Sequence, residues 1–206
     1  MSEPATAEDT ALGLLSRPGF AKLLAYRIFA MLSYQVVAVT VGWHIYEVTR
    51  NPFSLGLIGL AEVVPFFCVA PFAGYLVDHL PRRRLGMVAC CGLIATALVL
   101  TSVAMGWLPI DGVWPIYAAI ALTGMVRAFL SPIYNALFAR VLARDQFARG
   151  AGLGAVVFQA GMVAGPALGG VLVGFGGKGL SYAVATGFAL VAMACLATLK
   201  VEEPVH

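Results

Sequence analysis

Charge is what this chain has least of. Only 11% of its 206 residues are Asp, Glu, Lys or Arg, against about 25% in ordinary soluble domains. A water-facing surface needs more charge than that, so a soluble globular fold is excluded and the bilayer is the expected solvent. Cysteine is scarce too. Cys68, Cys90, Cys91 and Cys195 all lie in apolar runs, with neither a disulfide framework nor metal-ligand spacing, so they are expected to be small buried residues. No metal and no cofactor is expected. The chain has no H-E-x-x-H, no G-x-S-x-G and no paired acids at helical spacing, which argues against an enzyme. Its net charge of +3 gathers in particular loops and makes no nucleic-acid footprint. Met1–Asp9 carries Glu3, Glu8 and Asp9 and lacks the basic start of a cleaved signal peptide. A continuous polar face or filter-like loop is also missing, which argues against a channel.

What the chain does have is long apolar runs; 61% of its residues are hydrophobic. Crossing the hydrocarbon core takes about 20 mostly apolar residues. Six such runs occur, near 24–46, 54–77, 85–106, 115–137, 150–175 and 181–199. They predict an all-α membrane protein with six transmembrane helices in one bundle over 24–199. A cytoplasmic segment, 1–23, would precede it and a short tail, 200–206, follow. Within the first segment, Thr10–Lys22 reads as an amphipathic surface stretch interrupted by Pro18-Gly19.

The loops supply the orientation. Arg17, Lys22 and Arg27 flank the first run; Arg82, Arg83 and Arg84 follow the second; Arg140, Arg144 and Arg149 follow the fourth; Lys200 follows the last. The alternate loops hold only Arg50 and Lys178. Basic residues stay in the cytoplasm, so this bias predicts both termini there, in the plasma membrane and, by this reading, a bacterial inner membrane. Trp107 and Trp114 border the third loop as interfacial aromatics.

Ionisable residues inside a span cost about 2.5–3.5 kcal/mol on insertion scales, so each is a functional candidate. Glu62 in the second run and Arg127 in the fourth are such residues. They are candidates for proton coupling, or else pair with each other to stabilise the bundle. Thr123, Arg127, Ser131 and Tyr134 share one helix face. Ser33, Thr40 and His44 share another, with Gln35 on its flank. Both stripes are mostly apolar with few polar groups. In the fifth run Gly161, Gly165 and Gly169 recur every four residues, where small side chains let a neighbouring helix approach closely. Pro166 between them would bend the helix.

Two stretches carry a resemblance. Gly74-Tyr-Leu-Val-Asp78 followed by Arg82-Arg83-Arg84 resembles the loop signature between the second and third helices of major facilitator superfamily transporters, with His79 and Pro81 departing from it. Gly152, Gly161, Gly165-Pro166 and Gly169-Gly170 resemble the glycine motif of drug–proton antiporters in that superfamily. Tyr46–Thr49 and Gly56–Leu60, ahead of Pro65, are similar to drug and siderophore exporters related to the enterobactin exporter. The resemblance implies proton-coupled efflux of small amphipathic molecules by alternating access. The first, second, fourth and fifth helices would border the cavity, which makes the stripes of Ser33, Gln35, Thr40 and His44 and of Thr123, Ser131 and Tyr134 candidate substrate contacts for a small amphipathic solute. Gly74, Asp78, Arg82 and Arg83 would form a gating loop. The glycine helix would pack against its counterpart in a second half. In the family the arginine motif of the fourth helix has Gly after Arg; here Gly124 precedes Arg127.

A transporter of this kind has two six-helix halves, and this chain matches the first. The expected partners are therefore the bilayer, protons, a small-molecule substrate, and either a second copy of the chain or a separate C-terminal half. The alternatives are a truncated half and a non-transporting membrane subunit.

Overall fold

The computed structural model describes residues 12–107 and 112–200. Five helices in it are long and apolar enough to cross a membrane. Helix α1 spans Pro18–Thr49, α2 Pro52–His79, α3 Arg82–Ala104, α4 Trp114–Val141 and α5 Phe147–Ala197.

Local chemistry sets the ends. Pro18 starts α1, since its missing N–H lies where a helix has no acceptor anyway. Arg50 ends α1 in the left-handed conformation (φ 51°), and its N–H reaches back to Tyr46 at 2.8 Å. Asn51 then caps α2, its Oδ1 accepting from the Phe53 N–H at 3.0 Å, with Pro52 as the first helical residue. Two residues thus turn the chain from α1 to α2. Pro18-Gly19 therefore begins the first long helix and does not interrupt a surface helix. Among the described residues, Leu12–Ser16, a short 3-10 turn, precedes it. The first helix takes in Lys22 and Arg27, so the expected boundary at residue 23 falls inside α1. Met1–Asp9, Thr10 and the tail 201–206 lie outside the described residues.

Helix α5 runs for 51 residues, which would extend about 77 Å at 1.5 Å per residue, far more than a bilayer core of about 30 Å. It is broken at Gly177, whose φ of 71° and ψ of 178° are not helical. The break falls there and not at Pro166, where the helix continues. Its first arm, 147–176, runs alongside α1: Gly161 meets Met31, Gly165 meets Gln35 and Gly169 meets Val39. The second arm, 178–197, runs the other way. Lys178 pairs with Glu47 near the end of α1, while the Thr198 carbonyl accepts from Lys22 near its start. The chain reverses at Gly177.

All the turns gather at two ends. One holds Arg17, Arg82–Arg84, Arg140 and Arg144. Arg17 donates there to Gln146 Oε1 at 2.9 Å, and Arg83 donates from Nε to the Leu196 carbonyl at 3.0 Å and from Nη2 to the Ala197 carbonyl. The other end holds Arg50, Lys178 and the exposed Trp43, Trp107 and Trp114. Helix α1 is central, with 56% of its most apolar window buried; α2 is outermost, with 11%. Two apolar clusters stack along the bundle, one around Leu23, Leu93, Ile133 and Leu196, the other around Val41, Leu100, Ile120 and Tyr182.

Candidate functional site

Helices α2 and α4 cross at a glycine. A β-carbon on Gly124 would fall onto the Glu62 carbonyl group, so the α2 backbone rests directly on α4 at this level. That contact brings the Glu62 side chain to Arg127, one helical turn beyond Gly124. Arg127 Nη1 lies 2.8 Å from Glu62 Oε1, and the Tyr34 hydroxyl donates to the same oxygen at 2.9 Å. The Arg127 guanidinium also sits over the rings of Tyr34, at 4.8 Å, and Phe66, at 5.3 Å. Side-chain exposure is 14% for Glu62 and 42% for Arg127, so the acid is enclosed while the base opens to a pocket.

The pocket holds about 100 Å³. Helix α1 contributes Arg27, Met31 and Tyr34; α4 contributes Arg127, Ser131 and Tyr134; the first arm of α5 contributes Phe158 and Met162. The Arg27 guanidinium carbon sits over the Tyr134 ring, 3.9 Å from its centroid, and 5.1 Å from that of Phe158. Gly154 makes this contact possible, because a β-carbon there would come within 2.5 Å of the Tyr134 hydroxyl.

The structure brings together Glu62, Arg127, Ser131 and Tyr134 from the expected candidates, and leaves others elsewhere. Thr123 is buried and returns its hydroxyl to the Ala119 carbonyl at 3.1 Å. Thr40 does the same to Val36 at 2.7 Å. His44 is buried with Nδ1 3.2 Å from the Tyr182 hydroxyl, near the tryptophan end of the bundle. Ser33 is fully buried, with no hydrogen-bond partner among the described residues. Gln35 packs on Gly165 and donates to Met162 Sδ at 3.4 Å. The Ser33–Thr40–His44 stripe is therefore internal packing. The face of α1 that meets the pocket, Arg27–Met31–Tyr34, lies roughly 130° round the helix from it.

Tyr34 and Arg27 are not among the site residues expected from the sequence. A signal for them exists there: a basic and an aromatic residue seven apart in an apolar run, on one helix face. A span started at residue 24 on hydropathy alone counts Arg27 with the charged flank, whereas α1 starts at Pro18 and carries Arg27 well inside it.

The gating candidates are helical and not a loop. Gly74 and Asp78 belong to the last turns of α2, Arg82 and Arg83 to the first turn of α3, and only Leu80-Pro81 lies between. Asp78 is exposed and pairs with none of the described residues. A β-carbon on Gly74 would meet open space. Arg83 binds the last carbonyls of α5, where its charge complements the helix terminus. Arg82 Nε is buried without a described partner.

Among the motif glycines, Gly161, Gly165 and Gly169 are buried against α1, and Pro166 lies between them. Gly152 and Gly170 face outward, and a β-carbon on either would have nothing within 4 Å, so they pack against none of the described residues. Gly150 and Gly154 take the close contacts at that end instead.

No group of three metal-ligating side chains occurs among the described residues. No curated protein matches the chain. Residues 23–206, however, match the family model described as Major Facilitator Superfamily, a span that takes in all five apolar helices except the opening turns of α1. This all-helical, multi-pass membrane chain belongs to the Major Facilitator Superfamily, a family of membrane transporters.

Proposed function

We propose that the chain is one half of a secondary active transporter that expels small amphipathic molecules in exchange for protons, which run down their own gradient. The observation that carries the reading is the Glu62 carboxylate, shared by Arg127 and Tyr34 at the edge of a mostly apolar pocket that both of them line. A proton arriving on Glu62 removes the negative charge that holds Arg127. The freed guanidinium then turns to the pocket, and the α2–α4 contact loses its polar tie. Loss of the proton restores the pair. One carboxylate thereby couples protonation to the shape and charge of the cavity.

In this proposal the two arms of α5 are separate spans, giving six, and the basic end of the bundle faces the cytoplasm of a bacterial cell. The exposed α2 face, with Phe67, Phe72 and Tyr75, and the outward Gly152 and Gly170 then meet a second half. That half is a second copy or a separate chain, and the cavity closes between the two. The glycine spacing of α5 supports antiport, and Tyr46–Thr49 with Gly56–Leu60 ahead of Pro65 supports placement in the drug and siderophore exporter branch.

Proteoliposomes loaded with a pH-sensitive dye test the reading. Amphipathic solutes of positive, zero and negative charge are added in turn, and proton movement is followed. Wild type should move protons with at least one solute, and Glu62→Gln with none. Equal proton movement in the variant ends the role given to Glu62.

A further inference from the structure

Two guanidinium groups face the pocket, and only one of them has a carboxylate. Arg127 is neutralised by Glu62 at 2.8 Å. Arg27 makes no ion pair with a described residue; its guanidinium carbon sits over the Tyr134 ring and near that of Phe158. Among the described residues no acidic side chain lines the pocket, so with Glu62 counted at its edge their charges there sum to one positive.

The position matters chemically. A guanidinium held beside an aromatic ring still presents a planar array of five N–H donors, more than the ring contact uses, in the fork that matches a carboxylate. Arg27 also borders a second hollow, formed with Asn135, Phe138 and Ala151 on the side toward the basic end. It stands at the junction between the pocket and that end. Beyond it the walls are Met31, Leu130, Phe158 and Met162, which accept an apolar body and offer it little else.

We propose that the solute taken by this pocket is an amphipathic organic anion, its acid group bound by Arg27 and its apolar part by Met31, Phe158 and Met162. This rests on the pocket being the solute site of the transporter reading and adds the charge of the solute to it. A cationic amphipath would meet a like charge in a site of low polarity, which opposes entry.

Equilibrium binding of naphthoate and of naphthamide to the full chain in phosphatidylcholine nanodiscs tests the proposal. The two probes share shape and differ in charge. Naphthoate should bind at least about tenfold more tightly, the scale of one charge-assisted hydrogen-bonded pair. Arg27→Gln should bring the two affinities together, and Arg27→Lys should keep part of the preference. Equal affinity for the two probes in wild type overturns the assignment, as does failure of both to bind. A preference that survives in a monodisperse Arg27→Gln protein overturns it too. Loss of naphthoate binding when phosphatidylglycerol is added would give Arg27 to a lipid phosphate and reject the solute. Binding needs no proton flux, so a selective site without transport would refute the transporter reading alone, and flux confined to neutral or cationic solutes would refute the anion alone.

Discussion

The backbone of α2 at Glu62 rests directly on Gly124 of α4, with no room for a β-carbon between them. That single contact sets the height at which α2 crosses α4, and so puts an acid from one helix within 2.8 Å of Arg127 on the other. In the family's arginine motif glycine follows the arginine; here it precedes it, and its place three residues before Arg127 is what the α2–α4 crossing requires.

Gly124→Ala should therefore force the two helices apart. Overpacking of this kind costs about 1–3 kcal/mol, and here it should also break the Glu62–Arg127 pair. Gly161→Ala and Gly165→Ala should destabilise by a similar amount, since each β-carbon would meet Met31 or Gln35. Gly152→Ala and Gly170→Ala should stay within about 0.5 kcal/mol in the isolated chain. Thermal unfolding in detergent measures all five.

Tyr34→Phe removes one of the two donors that hold the Glu62 carboxylate. The loss should be about 1 kcal/mol, with helix packing unchanged. Arg127→Gln removes the charged partner and should cost more, about 1.5–3 kcal/mol. In a double-mutant cycle the two effects should fail to add, because both donors act on the same oxygen. Additive losses would mean that they hold Glu62 independently.

Arg83→Gln should loosen the end of α5 by about 0.3–1 kcal/mol, the worth of a cation at a helix C-terminus. Faster amide exchange over 190–199 would report it. Asp78→Asn, by contrast, alters an exposed side chain with no described partner and should leave unfolding unchanged. Its effect should fall on turnover in vesicles, where slower alternation is expected. Normal turnover would remove Asp78 from the gate.

Gly177→Ala tests the reversal of α5. A β-carbon there would touch nothing, so sterics with neighbours are not at issue. The dihedrals are: φ of 71° with ψ of 178° is a region that essentially only glycine occupies. The substitution should cost about 1–3 kcal/mol by strain alone, read as a fall in melting temperature. A neutral result would mean that the turn relaxes into another geometry.

The sequence by itself determined the properties that depend on runs of neighbours. Twenty apolar residues in a row need a bilayer whatever surrounds them, so the helices, the gathering of arginines at alternate turns and the glycine face of α5 were all legible. Glu62 and Arg127 could be singled out because an ionisable group in an apolar run is costly in any fold. Only the tertiary structure decided rotation and reach. A stripe of hydroxyls on α1 carries no mark of whether it faces a cavity or a neighbour. Thr40 and Thr123 satisfy themselves on their own helix, so burial costs them no hydrogen bond. The face with Arg27 and Tyr34 meets the pocket because the three buried glycines draw α5 against another side of α1. Hydropathy sums over a helix; which of its faces holds the chemistry depends on where its neighbours come close.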